Sequence, residues 1–178
     1  MTRWNDLLRG VDDTRDSQRV WAVVTVGARL ALAAGFLSAV ADRFGLWGAA
    51  GTDNVAWGDY DAYLSYVGDL APYLSDGLVD VAGGAATAVE VVLGVTLLLG
   101  VRVRLSAWAS AGVLMGFALS MFFFSGPEAP LNSSVFSAAA AAALLSLAPA
   151  DGLPLALDRL RAPADRRAAT HGAGTRPT

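Results

Sequence analysis

Cysteine is absent from the 178 residues, lysine is absent too, and histidine occurs once, as His171. Without cysteine there are no disulfides, no thiolate nucleophile, no Cys-ligated cluster and no CxxC redox motif. A single histidine in a polar tail supplies no pair of axial ligands for a haem. No metal constellation, nucleotide fingerprint or nucleophile–base pairing is recognisable, and nothing resembles a nucleic-acid surface. Gly83-Gly84 falls inside an apolar run and so is not a phosphate loop. Any cofactor is therefore expected to be diffusible or carried by a partner, not intrinsic. Charge is scarce as well: charged residues make up 16%, against about 25% in a typical soluble domain. All thirteen basic residues are arginine. Beside so much alanine and glycine, that reads as the coding bias of a GC-rich genome.

Apolar residues fill that space. They make up 54% of the chain, in blocks longer than a soluble core of this size buries. A bilayer core takes about 20 mostly apolar residues per helix. Four stretches qualify, 20–41, 78–100, 103–124 and a short Ala-rich 132–148. The fold class expected is all-α, an integral membrane four-helix bundle over 20–149, flanked by segments 1–19 and 150–178. Arginine distribution orients it. Arg3, Arg9, Arg15 and Arg19 precede the first span, Arg102 and Arg104 lie between the second and third, and five arginines follow the fourth. The two remaining connections hold only Arg43. Both termini are thus expected in the cytoplasm of a bacterial plasma (inner) membrane. Ala39-Val40-Ala41 mimics a signal-peptidase site, but the acids before it and Arg29 within the apolar run argue against cleavage.

Outside the spans, Trp4, Leu7, Leu8 and Val11 fall at helical spacing and suggest a surface-lying amphipathic helix. Leu153, Leu157 and Leu160 repeat the pattern, and the chain after 163 is polar enough to be disordered. The long connection 42–77 contains all four tyrosines. Tyr60, Tyr63, Val67, Leu70 and Leu74 share one helical face, so an interfacial helix is expected there. Trp47, Trp57 and Phe122 to Phe124 suit the headgroup aromatic belt, the blander role for these rings.

Two charges lie deep in the apolar runs. A charge at a helix centre costs about 2.5–3.5 kcal/mol on insertion scales. Arg29 lies nine residues from Val20, and Glu90 ten from Gly100, depths of about 13.5 and 15 Å from one side at 1.5 Å per residue. That points to a candidate intramembrane pair, Arg29 with Glu90, acting either as a structural latch or as the floor of a polar site. Arg43 and Asp80 are expected to form a shallower pair. The small residues 82–87 and 138–143 are expected to let helices approach closely.

The stretch RLALAAGFLSAVADRFGLWG from Arg29 to Gly48 resembles the first helix of DoxX-family membrane proteins. EVVLGVTLLLGVRVR from Glu90 to Arg104 and APLNSSVFS from Ala129 to Ser137 resemble that family's second helix and the entry to its fourth. The resemblance covers roughly 20–149. It implies a small four-helix membrane protein, related to a subunit of thiosulfate:quinone oxidoreductase and to assemblies handling sulfur compounds and oxidative stress. Arg29, Asp42, Glu90 and Asn132 occupy the family-like polar positions, without an established catalytic role. Three readings follow. The first is a subunit of a membrane oxidoreductase, with quinone in a slot at the outer face formed by Asp42, Arg43, Trp57, Tyr60, Tyr63, Asp80 and Asn132. The second is a non-enzymatic anchor or assembly factor for a soluble partner docked on the basic tail. The third is a small transporter, which four spans permit only as a homodimer. Membrane lipid is a partner in all three.

Overall fold

The computed structural model describes residues 14–149. The amphipathic segment 4–11, the leucine repeat after 150 and the expected disorder beyond 163 lie outside the described residues. Those that are described contain helices and turns but no strand. α1 spans Thr14–Arg43, α2 Tyr60–Leu70, α3 Asp76–Leu99, α4 Val103–Ser120, α5 Glu128–Asn132 and α6 Val135–Ser146. One π-helical turn, Met121–Ser125, prolongs α4.

Local chemistry explains where each helix starts and stops. The Asp59 side chain accepts from the Ala62 N–H at 2.7 Å and caps the start of α2, an N-cap that contributes about 1 kcal/mol. Pro72, which cannot donate to a helical ladder, follows its end. α3 begins after Ser75 and ends at Gly100, whose φ of +70° is the left-handed geometry glycine adopts freely. There the N–H groups of Gly100 and Val101 return to the carbonyls of Leu97 and Thr96, as in a Schellman termination.

Three helices are long and apolar enough to cross a membrane, Ser17–Arg43, Asp76–Leu99 and Val103–Ser125. The fourth apolar stretch is divided. Asn132 closes α5, Ser134 takes a left-handed φ of +56°, and only Val135–Ser146 continues as helix. Twelve residues rise about 18 Å, well short of the hydrocarbon thickness. Asn132, Ser133 and Ser134 explain the interruption, because short polar side chains compete with the helical backbone for hydrogen bonds.

The helices pack chiefly in two antiparallel pairs, α1 along α3 and α4 along α6. Leu32, Ala33 and Phe36 of α1 meet Leu93 and Leu97 of α3 in a core shared with Val103 and Ala107 of α4 and Ala142 and Leu145 of α6. Close approach is set by glycine: a Cβ on Gly94 would stand 2.8 Å from the Leu37 side chain. Val23, Val81, Val92, Leu105, Trp108 and Leu144 remain exposed around the sides. An apolar lateral surface of this kind suits contact with lipid.

The two helix pairs share one end with the 44–75 connection, called here the loop end. At the opposite end arginines serve the backbone. Arg29 donates from Nε to the Leu97 carbonyl at 3.1 Å and from Nη2 to Leu98 at 3.3 Å. Arg104 donates to the Ala148 carbonyl at 2.8 Å. The last carbonyls of a helix lack intrahelical donors and carry its negative dipole end, so a guanidinium is well matched to them.

Candidate functional site

The candidate site lies at the loop end, where the last turn of α1 meets the middle of α3 beneath α2. Arg43 closes α1, and its guanidinium turns inward. Nη2 lies 2.6 Å from Glu90 Oε2, with each side chain only 3% exposed. Nη1 donates to Thr87 Oγ1 at 2.9 Å, and that hydroxyl donates to the Gly83 carbonyl at 2.9 Å. Gly83, Thr87 and Glu90 stand at i, i+4 and i+7 of α3, which puts them on one helical face.

Above the guanidinium lie rings. Arg43 Cζ is 3.9 Å from the centroid of Tyr63 and 5.3 Å from that of Trp57. Cation–π contacts of this kind contribute about 2 kcal/mol when desolvated. Trp57 packs edge-on against Tyr63 and tilted against Tyr66, while Tyr60 stacks on Phe44. The Tyr63 hydroxyl donates to the Gly83 carbonyl at 3.3 Å, anchoring α2 on α3. A Cβ at Gly83 would press on the end of the Leu64 side chain, which would have to move aside. Burial pushes the Tyr63 phenol above its ordinary value and outweighs the opposing pull of Arg43. The Tyr66 phenol is raised too, again by burial first.

Asp42, the neighbour of Arg43, is also buried, and its Oδ2 accepts from the Trp57 backbone N–H at 2.8 Å. The site therefore has a charged floor, Arg43 with Glu90, and an aromatic roof. The floor's hydrogen bonding is incomplete. Arg43 Nε has no acceptor among the described residues, and the close approach to Glu90 Oε2 is an ion pair without hydrogen-bond alignment.

The structure brings Asp42, Arg43, Trp57, Tyr60 and Tyr63 together but leaves Asp80 and Asn132 outside, both exposed. The expected Arg29–Glu90 pair is corrected: Glu90 takes Arg43 as its partner, and Arg29 reaches the end of α3. The expected Arg43–Asp80 pair falls with it. The cause is stagger. Counting depth from Val20 and Gly100 assumed that both helices start level, whereas Arg29 actually stands beside Leu97. Glu90 is seven residues, about 10 Å, farther along. Thr87 and Gly83 were visible in the sequence only as small packing residues. Their shared face with Glu90 was the signal that marked them as part of the site.

Among the described residues, no group of three or more His, Cys, Asp or Glu side chains could hold a metal ion. The arrangement is a buried guanidinium–carboxylate pair covered by aromatic rings. No family model, curated protein or solved structure matches the chain.

Proposed function

We propose that this chain is a DoxX-like multi-span membrane protein that serves as a subunit of an oxidoreductase assembly and binds quinone at its loop end. In this reading both termini face the cytoplasm, α6 completes a four-helix bundle, and the loop end lies at the outer face of a bacterial plasma membrane. One observation carries it: a buried guanidinium–carboxylate pair sits directly beneath the rings of Tyr63 and Trp57. Polar groups in such a setting are costly, and they are found where a polar ligand or ion must be received. A quinone ring needs an apolar slot with a few placed polar groups. Here Arg43 would donate to a carbonyl, Glu90 would accept from a hydroquinone hydroxyl, and Tyr63 and Trp57 would cover the ring. Because the sequence has no cysteine and a single histidine, electrons would pass to or from a partner protein in this reading. The resemblance ties such a partner to sulfur compounds or oxidative stress.

The test is gentle detergent purification from native membranes, followed by mass spectrometry of the bound small molecules and proteins. Quinone at about one per chain, lost in Glu90→Gln, with a redox enzyme in the same particle, is the expected result. A chain that purifies without quinone, in wild type as in the variant, overturns the reading.

A further inference from the structure

The segment 44–59 between α1 and α2 is a closed loop of its own. A Cβ on Gly45 would stand 2.8 Å from the Gly58 carbonyl, and one on Gly58 would collide with the backbone of Ala49 and Ala50. Its two ends therefore meet, as in the compact surface loops that often carry function. Its backbone hydrogen bonds are short turns, such as Thr52 to Ala49 and Val55 to Thr52, or reach the end of α1 at Ala41 and Asp42. Three further hydrogen bonds, made by two tryptophans, tie it down. The Trp47 indole donates to the Ser38 carbonyl and hydroxyl, both at 3.1 Å on the exposed side of α1. The Trp57 backbone N–H donates to Asp42 Oδ2, and this second tie is buried at its acceptor. Phe44, Leu46 and Trp47 are 59–69% exposed, so the loop turns an apolar edge outward beside α1. Beneath it lies the guanidinium of Arg43, with its unaccepted Nε.

We propose that residues 44–59 form a lid over the Arg43–Glu90 site, that Asp42 is its latch, and that a lipophilic ring ligand enters beneath it from the lipid-facing side of α1. This rests on the reading of that site as a ligand site. Two features support it. Among the described residues the lid's side-chain hydrogen bonds to the rest of the protein come from Trp47 and Trp57 alone, beside the ring contacts of Phe44 and Trp57 with α2. Its outward edge is apolar where a water-borne ligand would be met by polar groups. Asp42 is a positioning residue here: by holding the Trp57 amide it keeps the indole over Arg43. A segment held by few tertiary bonds opens as a unit at lower free energy than the helices around it.

The chain has no native cysteine, so single-cysteine reporters are clean. In lipid nanodiscs, Thr87→Cys beneath the lid is labelled with N-ethylmaleimide, with and without Asp42→Asn, beside Leu93→Cys in the helix core. The expected result is labelling of the Thr87 reporter faster by about ten-fold in Asp42→Asn, the scale of a charge-assisted hydrogen bond reduced to a neutral one, with the Leu93 reporter unchanged. An unchanged rate at Thr87 overturns the proposal. Equal acceleration at both positions also overturns it, because Asp42 would then hold the whole fold. Backbone hydrogen exchange of the wild-type chain supplies a measurement free of substitutions: 46–58 should exchange well ahead of 63–70. Exchange of both segments in step removes the lid. None of these readouts involves quinone, so a lid that opens on an empty site separates failure of the functional reading from failure of this one.

Discussion

Glu90 and Arg43 differ in what each leaves behind when the other is removed. A carboxyl group stripped of its partner can take up a proton and become neutral, whereas a guanidinium stays charged. Breaking a buried pair from one side costs about 3–5 kcal/mol. Glu90→Leu, which strands Arg43, should therefore destabilise more than Arg43→Met, and the double variant should recover most of the loss. Unfolding midpoints in one detergent would check this. A double variant no better than the worse single variant would mean the pair does not act as a unit. Tyr63 gives a second residue-scale prediction, for alkaline pH. Its phenol is raised above the ordinary value near 10, so the folded chain holds the proton more tightly than the unfolded chain. Stability is then full below about pH 10 and falls as pH rises further. Tyr63→Phe should flatten that alkaline decline, and a decline of unchanged steepness would assign it to other groups.

At the scale of elements, α1 and α3 are held close by Gly94 and kept in register by arginine at both ends of their contact. Gly94→Val would push against Leu37 and Phe36, and overpacking of this kind costs about 1–3 kcal/mol. It should lower the unfolding midpoint. Gly112→Val, where a Cβ meets open space, is the matched control and should change little. The same register marks where the sequence was readable and where it was not. The apolar runs and the helical spacing of Tyr60, Tyr63 and Val67 are one-dimensional signals, and α1, α2, α3 and α4 lie close to where those signals put them. Which arginine meets Glu90 depends on how far one helix slides along the other. That offset comes from Gly94, from the arginine cap at Leu97 and from the Tyr63 anchor on Gly83, all of which are contacts between helices. Arg29 and Arg43 stand fourteen residues apart on α1, about 21 Å of helical rise, so the sliding of one helix along the other decides which of them meets Glu90. The break at Ser134 was hidden for a different reason. Alanine-rich composition outweighed the three polar residues Asn132, Ser133 and Ser134, although these are the ones that end α5.

For the whole molecule, the distribution of exposed charge is lopsided. Asp53, Asp59, Asp61, Asp69, Asp76 and Glu128 are exposed toward the loop end, where Arg43, the one arginine there among the described residues, is buried. Arg102, in the turn between α3 and α4, and Arg104, in the first turn of α4, are exposed at the other end. Arginine near span ends is retained on the cytoplasmic side, whereas acids contribute little to orientation. The proposed topology thus rests on arginine alone, and the acidic loop end is consistent with it without adding weight. Asp53→Cys and Arg102→Cys report the two ends independently. With a membrane-impermeant maleimide on intact cells, the Asp53 reporter should label at once, and the Arg102 reporter only after the membrane is opened. The reverse pattern would place the lid and the Arg43–Glu90 site on the cytoplasmic side, where a quinone-linked partner would have to be a cytoplasmic enzyme. Labelling of both reporters in sealed cells would mean that the α3–α4 pair does not cross the bilayer as a hairpin. The half-length α6 makes that outcome worth testing, since α4 depends on α6 for much of its packing and α6 alone is too short to span.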